Sequence, residues 1–231
     1  MTEGVDLDGE VRRVDPDRWL ASRFIADPAR RADVIALYAF DHELARATQV
    51  ASNALMAEIR LAWWREAVEE IFAGGQVRRH PTVLAMAAAV NGRRLPRAPF
   101  NAIIEARIGA LETPRFDLPG ARAWAAAAEG SLSRLAALVL GAGEMAARAE
   151  PAGTVWGLML LRRADKAGGD DYDADLREAL AEARRAARGL PAAAFPAVLC
   201  ATLARGDLGR TTVSEVGKRA RLTWAALSGR L

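Results

Sequence analysis

At 231 residues, with no Pro/Gly/Ser-rich linker to divide it, the chain reads as one domain. Apolar residues make up 52% of it, but charges interrupt every apolar segment, and no run approaches the roughly 20 residues that a membrane-spanning helix needs. The net charge of +3 is what remains of 32 basic and 29 acidic residues, and the basic ones are scattered as Arg pairs, which excludes the clustered basic face of a nucleic-acid binder.

Residues 1–16 open on Glu3, Asp6, Asp8 and Glu10 with no basic residue before Arg12, the reverse of a secretory signal or an Arg-rich transit peptide. They are expected to form a disordered or irregular lead to a helical domain over residues 17–231. Asp27-Pro28 sets an N-cap ahead of a proline at the first helical position. Val34, Leu37, Tyr38, Asp41 and Leu44 then recur at helical intervals, which predicts a helix to about Gln49. Asn53 caps the next helix, whose inward face is expected to hold Leu55, Met56, Ile59 and Trp63, then Val68 and Ile71, before Gly74-Gly75 ends it. His80-Pro81-Thr82 opens a shorter helix with Val83, Leu84, Met86, Ala87 and Val90 as its apolar face, closed by Asn91-Gly92. Pro96 to Pro99 starts another through Phe100, Ile103, Ile104 and Leu111.

Pro114 to Gly120 reads as a loop, followed by a long Ala-rich helix from Ala121 to Gly141. Pro151 starts a helix through Val155, Trp156, Leu158, Met159 and Leu161 that breaks at Lys166 to Asp170. The acidic run Asp170 to Asp175 is expected to be a hydrated turn, with Asp173 or Asp175 capping a helix from Asp175 to Arg188. Helices over Pro191 to Arg205 and Thr211 to Leu227 complete the series. No alternating strand pattern interrupts it, so the fold class is all-α, a single-domain bundle of about eight to ten helices whose alanines favour helix and let axes approach closely. The lone Cys200, among Val198, Leu199 and Ala201, reads as a buried thiol in a reducing compartment.

Two segments carry a family resemblance. Leu37-Tyr38-Ala39-Phe40-Asp41-His42-Glu43-Leu44-Ala45-Arg46 is followed by Glu58-Ile59-Arg60-Leu61-Ala62-Trp63-Trp64-Arg65-Glu66-Ala67. Together they resemble the squalene/phytoene synthase family, in which Tyr-Ala-Phe opens the helix bearing a first aspartate-rich motif. The resemblance implies an isoprenoid-synthase-like helical fold. Aligned on that opening, the family's Asp-Asp-x-x-Asp falls on Ala45, Arg46 and Gln49. The second motif, matched at Leu160-Leu161-Arg162-Arg163, puts Arg163 and Ala167 where acids are expected. Within the family, the pattern is similar to the divergent branch that contains the mitochondrial complex I assembly factor and its bacterial relatives.

Other residues are read from their surroundings. Adjacent helical residues diverge by about 100°, so one ring of Trp63-Trp64 is expected inside and the other toward a neighbouring helix or a partner. Arg60, four residues before Trp64, is placed for a guanidinium-over-indole contact. Glu66, Glu69 and Glu70 read as solvated, with Arg65 and Glu69 as an i,i+4 pair. His42 and His80 have no metal-ligand company, and Ser131 and Ser133 have no base to activate them.

No catalytic residue and no metal ligand is assigned. The candidate cavity or interaction residues are Tyr38, Phe40, Glu43, Arg46, Arg60, Trp63, Trp64 and Arg65, and the degenerate motif positions are Ala45, Arg46, Gln49, Arg163 and Ala167. The resemblance then implies a catalytically silent protein without a cofactor, bacterial and cytoplasmic or peripheral to the inner membrane. Its expected role is protein assembly, with respiratory complex I subunits as partners, or binding of an isoprenoid or lipid-like ligand. The alternative is an active prenyltransferase or terpenoid synthase that condenses prenyl diphosphates through a rebuilt site. That reading would require Mg²⁺ to stabilise the departing pyrophosphate.

Overall fold

The computed structural model describes residues 6–49, 51, 53–208 and 214–231, and among these every regular element is a helix. The chain divides into two compact units, Met1–Glu112 and Thr113–Leu231, at the loop that precedes Pro114.

The first unit contains α1 (Leu7–Val14), α2 (Pro16–Ser22), α3 (Pro28–Gln49), α4 (Ala54–Ala73), α5 (Pro81–Arg93) and α6 (Arg97–Gly109). Residues 7–14, expected to be irregular, are helical instead; residues 1–5 lie outside the described residues. The reason is local chemistry that charge counting misses. Asp6 accepts from the Gly9 N–H at 3.0 Å and Asp15 from the Arg18 N–H at 3.0 Å, so each short helix has a capped start. Trp19 donates its indole N–H to Asp8 at 2.9 Å, while the Arg12 and Arg23 guanidinium groups lie 5.0 and 4.6 Å from the Trp19 ring centroid.

Helix α3 is the core of this unit. Val34 through Phe40 are all buried, and the helix packs against α1, α2, α4, α5 and α6. Asp27 caps it as expected, and Asn53 caps α4 by accepting from the Met56 N–H at 2.9 Å. Helix α4 ends at Gly74, whose φ of +72° is the left-handed turn that glycine adopts without penalty. Its inward face is narrower than periodicity predicts. Ala57, Leu61, Trp64, Ala67, Val68 and Ile71 are buried, whereas Leu55, Met56, Ile59 and Trp63 are exposed. On α5 Val83, Met86 and Val90 are buried and Leu84 is exposed; the helix runs past Asn91-Gly92 to end at Arg94 with φ +54°.

The second unit contains α7 (Leu118–Ala125), α8 (Ser131–Val139), α9 (Glu150–Arg163), α10 (Asp170–Ala187), α11 (Ala204–Leu208) and α12 (Glu215–Ser228). Helices α7 and α8 form the predicted Ala-rich run, but a π turn at Ala126–Gly130 joins them. Against it lies α9, buried from Ala152 through Met159. A Cβ on Gly153 would stand 2.2 Å from the Glu129 carbonyl oxygen, and one on Gly157 would stand 2.7 Å from the Ala125 Cβ. The two glycines allow the helix axes to approach this closely.

Three expected boundaries move. The acidic run is the first turn of α10 rather than a capping loop, and Asp173 and Asp175 lie inside the helix. Residues Ala192–Leu203 form a 3-10 segment around Pro196, whose missing N–H breaks an α-helical ladder, before α11 begins. The expected start at Thr211 lies outside the described residues, and α12 starts at Glu215, capped by Ser214 Oγ at 3.2 Å from the Gly217 N–H. Cys200 is buried, as its neighbours suggest. No helix among the described residues is long and apolar enough to cross a membrane.

Candidate functional site

Helices α3 and α4 and the residue that opens α5 line an open pocket of about 350 Å³ in the first unit. Glu43, Arg46 and Ala47 come from α3, Arg60, Trp63 and Trp64 from α4, and His80 from the residue before α5. Thus five of the eight candidate residues converge. Tyr38, Phe40 and Arg65 do not line it. Tyr38 is buried under the Arg18 guanidinium, 5.3 Å from its ring centroid. Phe40 is fully buried and meets Trp64 and Phe100 at centroid distances of 5.7 and 5.8 Å. Arg65 pairs with Glu105 at 2.6 Å.

The two indoles divide their roles as the helix geometry requires. Trp64 is buried at 4% exposure and Trp63 is exposed at 37%, their rings edge to face at 5.0 Å. His80 completes the cluster at 5.7 Å from Trp63 and 5.2 Å from Trp64. The expected contact of Arg60 with Trp64 is replaced by Arg78, which lies 4.6 Å from the Trp63 ring centroid and donates to the Trp63 carbonyl at 3.1 Å. Arg78 also neutralises Glu66 and Glu70, and Arg97 pairs with Glu69 at 2.9 Å, so the expected solvated trio is tied to other segments.

The pocket's polar groups are unequally satisfied. Arg46 reaches the buried Glu43 carboxylate at 3.3 Å. Arg60 Nη1 and His80 Nδ1 are buried with no hydrogen-bond partner. A buried guanidinium nitrogen without an acceptor is costly, and the side chain that carries it lines the pocket together with two indoles and an imidazole. Two arginines against one carboxylate leave the pocket cationic, and its volume lies in the range of small-molecule sites. The arrangement suits an anion carrying an apolar portion. His80 was not singled out as a pocket residue from the sequence; its place beside Pro81 at a helix start hid the return of that turn onto the α4 indoles.

The motif positions divide between the two units. In the first, Ala45 and Arg46 lie on the last turns of α3 with Gln49 at its end, and Arg46 is half-exposed. In the second, Arg163 ends α9 with its guanidinium 5.3 Å from the Trp156 ring centroid, and Ala167 is buried. Nearby acids are held by arginines. Arg162 pairs with Asp173 at 2.5 Å, and Arg122 with Asp175 at 3.3 Å. In α3 the buried Asp41 receives Arg107 at 2.6 Å and Arg18 at 2.8 Å. Burial pushes the Asp41 carboxyl up, but the two guanidinium groups outweigh it and hold it at about 2. Among the described residues no three His, Cys, Asp or Glu side chains gather as a metal-ligand set. Glu129, fully buried on the π turn beneath Gly157, is a further internal acid; its signal in the sequence is a carboxylate ending a run of alanines.

Solved structures of other proteins share this all-helical architecture. A dehydrosqualene synthase in complex with ligand matches with a TM-score of 0.78 at 12% identity, over 96% of this chain and 94% of that one. Squalene synthase HpnC from Alicyclobacillus acidocaldarius matches with a TM-score of 0.64 at 18% identity, over 97% and 96% of the two chains. At these identities the likeness is one of fold. The family comes from the sequence: a model of squalene/phytoene synthases matches residues 11–168, and the chain belongs to that family. No curated protein matches it.

Proposed function

We propose that this chain is a catalytically silent member of the squalene/phytoene synthase family, acting in protein assembly connected with respiratory complex I. In this reading the α3/α4 pocket holds an isoprenoid or lipid-like anion and α4 meets the partner. The observation that carries it is the charge at the motif positions. Where prenyl transfer needs carboxylates to hold Mg²⁺ on a departing pyrophosphate, Arg46 and Arg163 present cations, and Ala45, Gln49 and Ala167 present no charge. Arginine can bind a diphosphate, but it cannot recruit the metal.

The pocket supports the binding role, because Arg60 Nη1 lacks a partner that an anionic oxygen would supply. The exposed Leu55, Met56, Ile59 and Trp63, along the side of α4 that reaches the pocket, support the partner role.

Incubation with farnesyl or geranylgeranyl diphosphate and Mg²⁺ is expected to release no pyrophosphate above a protein-free blank. Release above it establishes the prenyltransferase alternative and overturns the silent reading. The binding role predicts that farnesyl diphosphate without metal perturbs the tryptophan fluorescence, and that Arg60→Ala weakens the effect by about tenfold, the loss of one charge-assisted hydrogen bond. Cells deprived of the chain should lose NADH:quinone oxidoreductase activity. The wild-type chain should restore it, and the Ile59→Ala/Trp63→Ala double variant should not.

A further inference from the structure

We infer that the second unit carries a docking surface for an anionic phospholipid membrane, formed by the outer face of α12 and the arginine-lined cavity at its C-terminal end. This inference is independent of the reading of the α3/α4 pocket, since it uses no residue of the first unit.

Helix α12 buries Leu222 and Ala225 and packs on the 3-10 segment Ala192–Leu203. Its other side is open. Val216 is 77% exposed, Trp224 73% and Leu227 82%, which makes them among the most exposed large apolar side chains of the described residues. At 100° per residue Val216, Ala220, Trp224 and Leu227 fall on one face of the helix, a stripe three turns long. A tryptophan with its indole in solvent beside leucine and valine is an unfavourable surface in water. It suits the boundary between headgroups and acyl chains, where an indole satisfies both its ring and its N–H.

The charges beside the stripe select the kind of boundary. Arg219 and Arg221 flank the stripe on either side at 100° per residue, while Lys218, on the opposite side of the helix, is paired at 3.0 Å with Glu215, the one acid of α12. Arg221 Nη1 is buried without a hydrogen-bond partner. Where α12 ends, at Gly229 with φ +63°, a cavity of about 520 Å³ opens between it and the last turn of α10. Arg184, Arg188 and Arg230 line it together with Ser228, whose Oγ is buried and has no hydrogen-bond partner. Arg184 Nε donates to the Leu231 main-chain oxygen at 3.1 Å, which holds Leu231 against the cavity. Three guanidinium groups at one end of an exposed apolar stripe match the phosphate and the acyl boundary of an anionic phospholipid. A protein partner would need an acidic site and an apolar groove in the same spacing, while a lipid leaflet offers both everywhere. With no membrane-spanning helix among the described residues, the attachment is peripheral.

The test is flotation of the full chain with vesicles of phosphatidylcholine alone or with roughly 30 mol% phosphatidylglycerol, whose surface is negative. The wild type is expected to float with the anionic vesicles and not with the neutral ones, and to be released by about 0.5 M NaCl, which screens the surface charge. Trp224→Ala/Leu227→Ala is expected to weaken the partition at least tenfold. Both side chains are solvent-exposed, so the thermal melt of this variant should match the wild type. Arg188→Glu/Arg230→Glu is expected to abolish the preference for anionic vesicles. Addition of anionic vesicles should blue-shift the wild-type tryptophan emission, and Trp224→Phe should remove that shift. Failure of the wild type to float, equal binding to neutral vesicles, or flotation unchanged in both double variants overturns the proposal. So does a dimer in vesicle-free solution that Trp224→Ala dissociates, because the stripe would then be covered by a second copy.

Discussion

Asp41 shows how far a single side chain's environment can depart from its sequence context. Its spacing marks it only as one of several helical positions on a core face, yet it is a buried carboxylate shared by Arg18 and Arg107. Asp41→Asn leaves two guanidinium groups without their common anion and should cost about 3 kcal/mol in denaturant unfolding, the scale of a broken buried pair. The folded carboxyl sits at about 2, below its ordinary 3.8, so its stabilising effect is complete above the ordinary value and is lost as pH falls through the folded one. Roughly 2 kcal/mol should therefore disappear between about pH 4 and pH 2 in the wild type, and that loss should be missing from the Asn variant. Arg60 predicts the opposite behaviour. If its unpaired nitrogen is kept for a ligand, Arg60→Met should leave the ligand-free melting temperature unchanged or raise it, whereas a structural arginine would lower it. The Asp41 environment is hidden from the sequence because its partners are distant in the chain, 23 residues for Arg18 and 66 for Arg107, and spacing rules reach only the neighbouring turn.

At the scale of helices, punctuation was legible and orientation less so. Asp27-Pro28, Asn53, Gly74 and His80-Pro81 mark real ends because caps and breakers act within a few residues. The buried face of α4 is not legible in the sequence because Leu55, Met56, Ile59 and Trp63 satisfy helical spacing as well as Leu61, Trp64 and Val68 do, and only packing distinguishes the two stripes. The π turn between α7 and α8 was equally invisible, since alanine tolerates either ladder. The glycines opposite it carry the clearest prediction at this scale. Gly153→Ala places a methyl 2.2 Å from the Glu129 carbonyl, a backbone atom with nowhere to go, and should destabilise by about 2 kcal/mol or more. Gly168→Ala meets only an arginine terminus at 3.4 Å and should change the melting temperature little.

For the molecule as a whole, the fold and family could be read from one block of α3 and α4, because the residues that name the family there are also the residues that build a core. The function could not, since it depends on charges at five positions and on which surfaces stay uncovered. The silent reading predicts that millimolar Mg²⁺ leaves the melting temperature unchanged, because a metal stabilises a folded state only where that state binds it. A rise that depends on metal concentration would count against it. The perpendicular indoles of Trp63 and Trp64 extend this to direct observation. Two such chromophores at 5.0 Å couple their electronic transitions, so the pair should contribute a bisignate circular dichroism band in the far ultraviolet that either Trp→Phe variant erases. A molecule entering between Arg60 and His80 that tilts one ring against the other should change this band, an optical gauge of occupancy that needs no label.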